Sequence, residues 1–387
     1  MASGPRCDDD ALVGVGQHEV VSRVQSLAYE RMIPLNVSLE LTLKCNIRCL
    51  HCYNFDRDTD GPASCAGDGG TAPELSLEEI LRLLGELRAA GTLFVSLTGG
   101  EVLSSPHLFP VLDRARELNL AVQLLSNGTL LRPGMAARLA SYRNLLGVSI
   151  SLYGATPEVH DGVTQIRGSW QRTLDGADRL RARGVAVRLK LIVMRPNVQE
   201  VGAMRALAEA RGYPYLLDVT VTARHDGTRG SLAMRIGEDE LAALYRGPLR
   251  DLIPKGNHTV DEAAFPCNCA RGNCAISVRG DVFPCVSVPW AAGNVRERPF
   301  GEIWRGSPVF ERIRGLKIAD YPACAPCPDK AFCSRDRGAA YNASGSYTGT
   351  DPFVCAAAGV ARAVASERAD ARADVDVRLP LAVAGAR

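Results

Sequence analysis

No stretch of this chain reaches the ~20 consecutive apolar residues that a membrane-spanning helix requires, which argues against an integral helical membrane protein. The apolar core of a signal peptide is missing from the N-terminal region as well. So is any excess of charge: 45 basic residues stand against 43 acidic ones, and nothing in the net +2 points to nucleic acid or a membrane surface as a partner. Thirteen cysteines without a secretory signal argue against a disulfide framework and for a reducing cytoplasm, where thiols hold metal. At about 150 residues per domain, 387 residues suffice for one large α/β unit and a smaller one.

What is present becomes organised at residue 36. The lead-in before it carries Asp8, Asp9 and Asp10, several glycines and a helical patch over 19–31 with apolar positions at Val20, Val21, Val24, Leu27 and Ala28. Residues 36–43 read as a strand. Residues 76–90 read as a helix, opened by a capping box of Ser76 and Glu79 and closed at Gly91. Strand-like runs follow at 93–97, 121–125, 146–151, 185–193 and 216–221, separated by helical stretches near 108–118, 133–139, 170–183 and 198–211. Strands alternating with helices predict parallel βαβ units, and six of them make a partial barrel with functional residues at the C-terminal strand ends. The loop over 54–73, rich in Gly, Asp and Ala, has the length of a lid or a disordered segment. Another helix is expected over 238–246. From Cys267 to Cys355 eight cysteines accompany little periodic apolar pattern, so metal rather than a hydrophobic core is expected to organise this region. The last residues, 360–387, read as a helix with a frayed end.

Cys45, Cys49 and Cys52 form a C-x3-C-x2-C run just after the first strand. Structural zinc takes four ligands, commonly in closely spaced pairs, whereas a 4Fe-4S cluster bound by three thiolates keeps one iron without a protein ligand. Thr98-Gly99-Gly100-Glu101 ends the second strand; glycines let a backbone approach a ligand, and a carboxylate can meet an ammonium group. The plain alternative is an ordinary strand-to-helix turn. Ser126-Asn127-Gly128 ends the third strand and Ser149 to Tyr153 the fourth, both offering hydroxyl and amide groups, although Asn-Gly is first of all a turn signal.

Taken in order, these residues resemble the radical S-adenosylmethionine (SAM) family, whose motif is C-x3-C-x-aromatic-C; His51 stands at the aromatic position here. The family's glycine-glutamate motif usually continues with proline, where this chain has Val102. The resemblance implies that Gly99, Gly100 and Glu101 bind the methionine amino group of SAM. It places Ser126, Asn127, Ser149 and Ser151 near the ribose and carboxylate, and residues 190–194 with Asn197 along the adenine. It further implies that SAM chelates the open iron and that one-electron cleavage gives methionine and a 5'-deoxyadenosyl radical, which abstracts hydrogen from the substrate.

Cys267, Cys269, Cys274 and Cys285 cluster around Gly280-x4-Cys285, and Cys324, Cys327, Cys333 and Cys355 follow. This pattern resembles the SPASM domain, which holds two auxiliary 4Fe-4S clusters. The position expected to carry the next thiol after Cys333 is Arg337, and arginine is no ligand. The family gives the second auxiliary cluster Cys324, Cys327, Cys333 and Cys355. That leaves Cys267, Cys269, Cys274 and Cys285 for the first, with an extra local cysteine replacing the missing one; Asp336 or a substrate atom is the alternative fourth ligand. Two zinc sites are the structural alternative. Cys7 and Cys65 fit no pattern and read as free thiols, while residues 225–230, His258 and Tyr153 are candidates to face the cavity.

The expected architecture is α/β: a lead-in over 1–35, a partial (β/α)6 TIM-like barrel over 36–230, a bridging segment over 231–266, a small cysteine-rich SPASM domain over 267–358 and a tail over 359–387. By the resemblance, the cofactors are a 4Fe-4S cluster, SAM and two auxiliary 4Fe-4S clusters. The activity is radical modification of a peptide or protein, foremost the maturation of a ribosomally made peptide. Anaerobic sulfatase maturation and cofactor or haem biosynthesis are the enzymatic alternatives, and a zinc-stabilised binding protein the non-enzymatic one. Expected partners are the substrate, an electron donor such as flavodoxin or ferredoxin and, because no leader-recognition domain is evident before the barrel, a separate leader-binding protein.

Overall fold

A computed structural model describes residues 17–54, 73–225, 227–253, 261–265 and 267–378 of the chain. Cys7, Cys65, His258, most of the glycine-rich loop and the expected frayed end lie outside the described residues.

A first helix, α1 (Gln17–Glu30), buries Ala28 but leaves Val21, Val24 and Leu27 exposed, so most of its expected apolar face does not reach the core. In β1 (Asn36–Glu40) the pleat turns Val37 and Leu39 into the core and Ser38 and Glu40 to the opposite face. Similar short strands follow as β2 (Phe94–Thr98), β3 (Ala121–Ser126), β4 (Leu145–Leu152), β5 (Val187–Ile192) and β6 (Tyr215–Asp218), each parallel to its neighbour in that spatial order.

The connecting helices are α2 (Leu77–Ala89), α3 (Leu108–Glu117), α4 (Pro133–Ala140), α5 (Pro157–Thr164), α6 (Ser169–Arg181) and α7 (Val201–Ala210). The α2 helix starts as its capping box predicts: Ser76 N–H donates to Glu79 Oε2 at 2.7 Å and Glu79 N–H to Ser76 Oγ at 3.2 Å. Its apolar stripe, Ile80, Leu83, Leu84 and Leu87, is fully buried. Truncating one such leucine to alanine costs about 2–5 kcal/mol. Alpha-helix α5, which the periodicity did not announce, fills the connection between β4 and α6.

The C-terminal half departs from expectation. After α8 (Glu238–Arg246), β7 (Asn273–Ile276) pairs in parallel with the other side of β1, with Asn36 opposite Asn273 and Val37 opposite Cys274. The antiparallel strands β8 (Asp281–Phe283) and β9 (Gly293–Asn294) complete one nine-stranded sheet in the order β6-β5-β4-β3-β2-β1-β7-β8-β9. From α9 (Phe300–Gly306) and α10 (Pro308–Gly315), Phe300, Trp304, Phe310 and Ile313 join the same core as Leu39 and Leu97. Metal is therefore not the sole organiser of this region: a hydrophobic core runs through it. Two helices follow, α11 (Arg337–Ser344) and α12 (Pro352–Arg378). The second runs straight through the expected boundary at residue 359 and is tied to α8 by Arg246, whose Nε and Nη2 meet the Glu367 carboxylate at 2.9 and 2.7 Å. Among the described residues no helix is long and apolar enough to cross a membrane.

Candidate active site

The C-terminal ends of the parallel strands surround a cavity of about 310 Å³. Cys45, Cys49 and Cys52 line it from the turn after β1. That turn has almost no regular structure and is held from outside. Arg48 N–H donates to Thr164 O (2.9 Å) and Leu50 N–H to Val163 O (3.1 Å), so the last turn of α5 anchors the cysteine loop. Glu74 fixes the stem, its Oε1 accepting from Thr42 Oγ1 (3.1 Å) and Leu43 N–H (2.8 Å).

Gly99 and Gly100 line the same cavity opposite the thiols. Their first role is local. Gly99 has φ +132°, a conformation that favours glycine, and a Cβ there would overlap Thr42 O. A Cβ on Gly100 would overlap the carbonyl oxygens of Leu43 and Lys44. The bare backbone instead docks on the cysteine stem, Gly100 N–H donating to Thr42 O (2.6 Å) and Glu101 N–H to Lys44 O (2.8 Å).

Glu101 differs from what the motif implies. Its carboxylate is 1% exposed and accepts from Ser126 Oγ (2.7 Å), Asn127 N–H (2.7 Å) and Leu103 N–H (3.0 Å). Burial raises its pKa above the usual carboxylate range, opposed by those three donors. The side chain thus bolts the end of β2 to the end of β3 and does not line the cavity. Ser126 and Asn127 do line it. Asn127 also ties the β3 end to the cysteine loop: its Nδ2 donates to Asn46 Oδ1 (3.0 Å) and approaches Cys45 Sγ (3.9 Å), while its Oδ1 accepts from Thr129 Oγ1 (2.6 Å).

On β4 the two serines part company. Ser151 lines the cavity, whereas Ser149 lies deeper and accepts from Gln123 Nε2 at 2.8 Å. Asn197, expected near an adenine, is 1% exposed and occupied: Nδ2 donates to Tyr153 O (2.9 Å) and Ile192 O (2.8 Å), and Oδ1 accepts from Met194 N–H (2.8 Å). It clamps the ends of β4 and β5.

Tyr153, His51 and His225 all line the cavity. His51 packs edge-on against Tyr153 at 4.7 Å, and burial, helped by the nearby Lys190 cation, pushes its pKa down to about 4. Lys190 and Asp218 face each other across β5 and β6 at 3.7 Å, a charged pair in the cavity wall that the sequence had not singled out as such. From the cysteine-rich region Val286, Ser287 and Asp336 reach the same cavity.

The eight C-terminal cysteines fall into groups. Burial, with Cys333, Cys324 and Cys327 close by, raises the pKa of Cys355 at the start of α12, and Arg335 N–H donates to Cys333 Sγ at 3.3 Å. The structure thus brings these four together. It also brings together Cys267, Cys269 and Cys285: the two neighbouring thiols, with burial, hold the Cys269 thiol well above its ordinary range. Cys274 is not part of that group. In register with Val37 it turns toward the core face of the sheet, 2% exposed, and burial raises its pKa. Tyr347, for which the sequence held no signal, puts its hydroxyl 3.1 Å from Cys267 Sγ.

Sulfur-only donor sets suit iron–sulfur clusters or soft ions. Among the described residues no three Cys, His, Asp or Glu side chains converge as one bare ion requires. The thiols fit a group that meets each sulfur with its own metal atom. Beside the first set, Gly99, Gly100, Ser126 and Ser151 offer a cradle for a polar cofactor.

Residues 39–208 match the model of the Radical SAM superfamily, and residues 267–328 that of an iron-sulfur cluster-binding domain, SPASM. The AdoMet-dependent heme synthase of Methanosarcina barkeri is 28% identical over 346 residues, covering 83% of this chain and 96% of that protein. The mycofactocin maturase MftC of Mycobacterium ulcerans is 29% identical over 366 residues, covering 89% and 93%. The structure of Streptococcus suis SuiB bound to S-adenosylmethionine superposes with a TM-score of 0.62 over 88% of this chain and 81% of that one, at 16% identity. That last likeness shows a shared fold.

Proposed function

Since this chain is a radical SAM enzyme with a C-terminal SPASM domain, we propose that it matures a peptide, acting on a side chain held between the cysteine loop and the cysteine-rich region. The observation that carries this reading is the open side of the sheet. β6 is its edge strand, and Thr220 and Thr222, just beyond it, line the cavity. An extended chain can lie there, its backbone meeting a strand edge that is unpaired among the described residues while one side chain enters the cavity. The Lys190–Asp218 pair provides for polar backbone or side-chain groups at that entrance.

In this assignment Cys45, Cys49 and Cys52 hold the cluster that binds SAM, and Cys324, Cys327, Cys333 and Cys355 hold the second auxiliary cluster. The backbone of Gly99 and Gly100, with Ser126, Asn127 and Ser151, cradles SAM. Glu101 and Ser149 act from behind the wall as positioning residues, Glu101 by fixing Ser126 and Asn127. When bound, the cofactors supply a carbon radical that takes hydrogen from the substrate. The chain supplies placement, the glycines setting how near the cradle stands to the thiols. A low-potential donor such as flavodoxin or ferredoxin, a reducing cytoplasm and a separate leader-binding protein complete the proposal.

Relatives of two kinds, a heme synthase and a mycofactocin maturase, make the substrate test explicit. Anaerobically reconstituted protein is incubated with SAM, dithionite and either short peptides translated from the neighbouring open reading frames or a tetrapyrrole, and both are followed by mass spectrometry. A mass change in the peptide alone is expected; a change in the tetrapyrrole alone would refute the peptide reading.

A further inference from the structure

The loop between α11 and α12 carries a tyrosine whose hydroxyl ends on a sulfur. Helix α11 stops at Gly345, which turns the chain with φ +72°, and the loop is then clamped on both sides of residue 347. Ser346 N–H donates to Ser344 Oγ (3.2 Å), Gly349 N–H to Ser346 O (3.1 Å), and Gly349 O accepts from Arg337 Nη1 (3.3 Å). Tyr347 is thereby held inward, 4% exposed, as a member of the main hydrophobic core. Its ring lies 6.4 Å from that of Trp290, which stacks in turn on Tyr341 at 6.0 Å. Packing therefore fixes the ring, and the hydroxyl comes to rest 3.1 Å from Cys267 Sγ, its one hydrogen-bond partner among the described residues.

Between a free thiol and a phenol either group can donate. A sulfur that ligates iron is a thiolate without a proton, so it can only accept, and the direction of the bond is then settled: Tyr347 O–H is the donor. An electron added to an iron–sulfur cluster puts negative charge on its sulfurs, and a hydrogen bond to such a sulfur stabilises the reduced form. Buried from water, that bond is weakly screened. Cys333 Sγ also accepts a hydrogen bond, from Arg335 N–H, but any residue except proline supplies a backbone donor. The bond to Cys267 depends on one side chain.

We propose that Tyr347 sets the reduction potential of the first auxiliary cluster: with Cys267 among the ligands, its hydroxyl donates to the Cys267 thiolate and makes that cluster easier to reduce. The proposal rests on the SPASM assignment, whose matched segment begins at Cys267, and is independent of the peptide reading. Tyr347 does not line the cavity, so it is a positioning residue that acts through Cys267.

The test uses the full chain with Cys45, Cys49 and Cys52 all changed to Ala, which leaves the auxiliary clusters as the source of the EPR signal. The anaerobically reconstituted protein is reduced in steps at controlled potential and followed by low-temperature EPR. Tyr347→Phe, which keeps the ring and removes the hydroxyl, is expected to move one auxiliary midpoint to lower potential, with the other midpoint and the iron content unchanged. Trp290→Phe disturbs the same packing, keeps the hydroxyl and should move neither. Unchanged or raised midpoints in Tyr347→Phe would overturn the proposal. So would an equal shift in both variants, which makes Tyr347 a packing residue, or loss of one cluster's iron from folded Tyr347→Phe, which makes it a ligand. Deuterium ENDOR of the reduced parent in heavy water tests the bond without the substitution: an exchangeable deuteron coupled to an auxiliary cluster is expected, and its absence overturns the proposal even where Tyr347→Phe fails to fold. A triple variant that holds no iron would sink the SPASM assignment and this proposal together, whereas an unmodified peptide in the substrate test leaves it standing.

Discussion

Gly100 has no space for a side chain, and that is its most direct consequence for the site. Gly100→Ala forces its Cβ into the carbonyls of Leu43 and Lys44, so the cysteine stem or the β2 end has to move. Such overpacking costs about 1–3 kcal/mol. The expected result is a lower unfolding temperature together with loss of iron from the Cys45 site, while auxiliary iron is retained; iron analysis and thermal melts check both. Glu101→Gln makes a different point. The three groups around the carboxylate, Ser126 O–H and the Asn127 and Leu103 N–H groups, are all donors, and an amide NH2 would face at least one of them. One buried donor left without an acceptor costs about 1–3 kcal/mol. Denaturant melts should show that loss, and SAM affinity should fall with it because Ser126 and Asn127 lose their anchor. An unchanged stability with weakened SAM binding would instead make Glu101 a direct ligand contact.

Among the elements, β1 is the hinge of the account, bordered by β2 on one side and β7 on the other. Glu40 at its end is 8% exposed and accepts from Val278 N–H at 3.3 Å, across the junction between barrel and cysteine-rich region. Burial raises its pKa from 4.5 to about 7. Below pH 4.5 the carboxyl is protonated in folded and unfolded chains alike; as pH rises toward 7 the unfolded chain releases its proton first, so stability falls. Relative to Glu40→Gln, the wild type should lose on the order of 3 kcal/mol across that window. Parallel pH profiles of denaturant unfolding measure it, and superimposable profiles would contradict the burial argument. The six barrel strands were legible because their apolar residues recur with helices between them. β7 was not, because Asn273 to Ile276 offers too short a run to show a period, and α5 was not, because Pro157 to Thr164 carries Gly162 and few apolar positions. At the site, the spacing of Cys45, Cys49 and Cys52 was legible, but the burial of Glu101 and the core-facing turn of Cys274 are tertiary facts: register alone decides which face a strand residue takes.

For the whole molecule, the cysteine-rich region is a continuation of the barrel. Its strands extend the same sheet, its aromatic residues share the same core, and Arg296 reaches back to the Glu79 carboxylate at 2.6 and 3.0 Å. A chain ending at residue 266 exposes the edge of β1 and the apolar faces that β7 and α9 cover. It is expected to aggregate or to lose its cooperative melt, as measured by light scattering and calorimetry, whereas independent domains would leave a soluble, cooperatively folding barrel. Continuity has a functional meaning, for it brings Val286, Ser287 and Asp336 of the cysteine-rich region to the cavity that Cys45, Cys49 and Cys52 line. The most direct test of that arrangement is the release of 5'-deoxyadenosine when the anaerobically reconstituted chain is given SAM and dithionite. The wild type is predicted to form it and the Cys45, Cys49, Cys52 triple-alanine variant to form none while keeping its auxiliary iron; equal product from both would contradict the account.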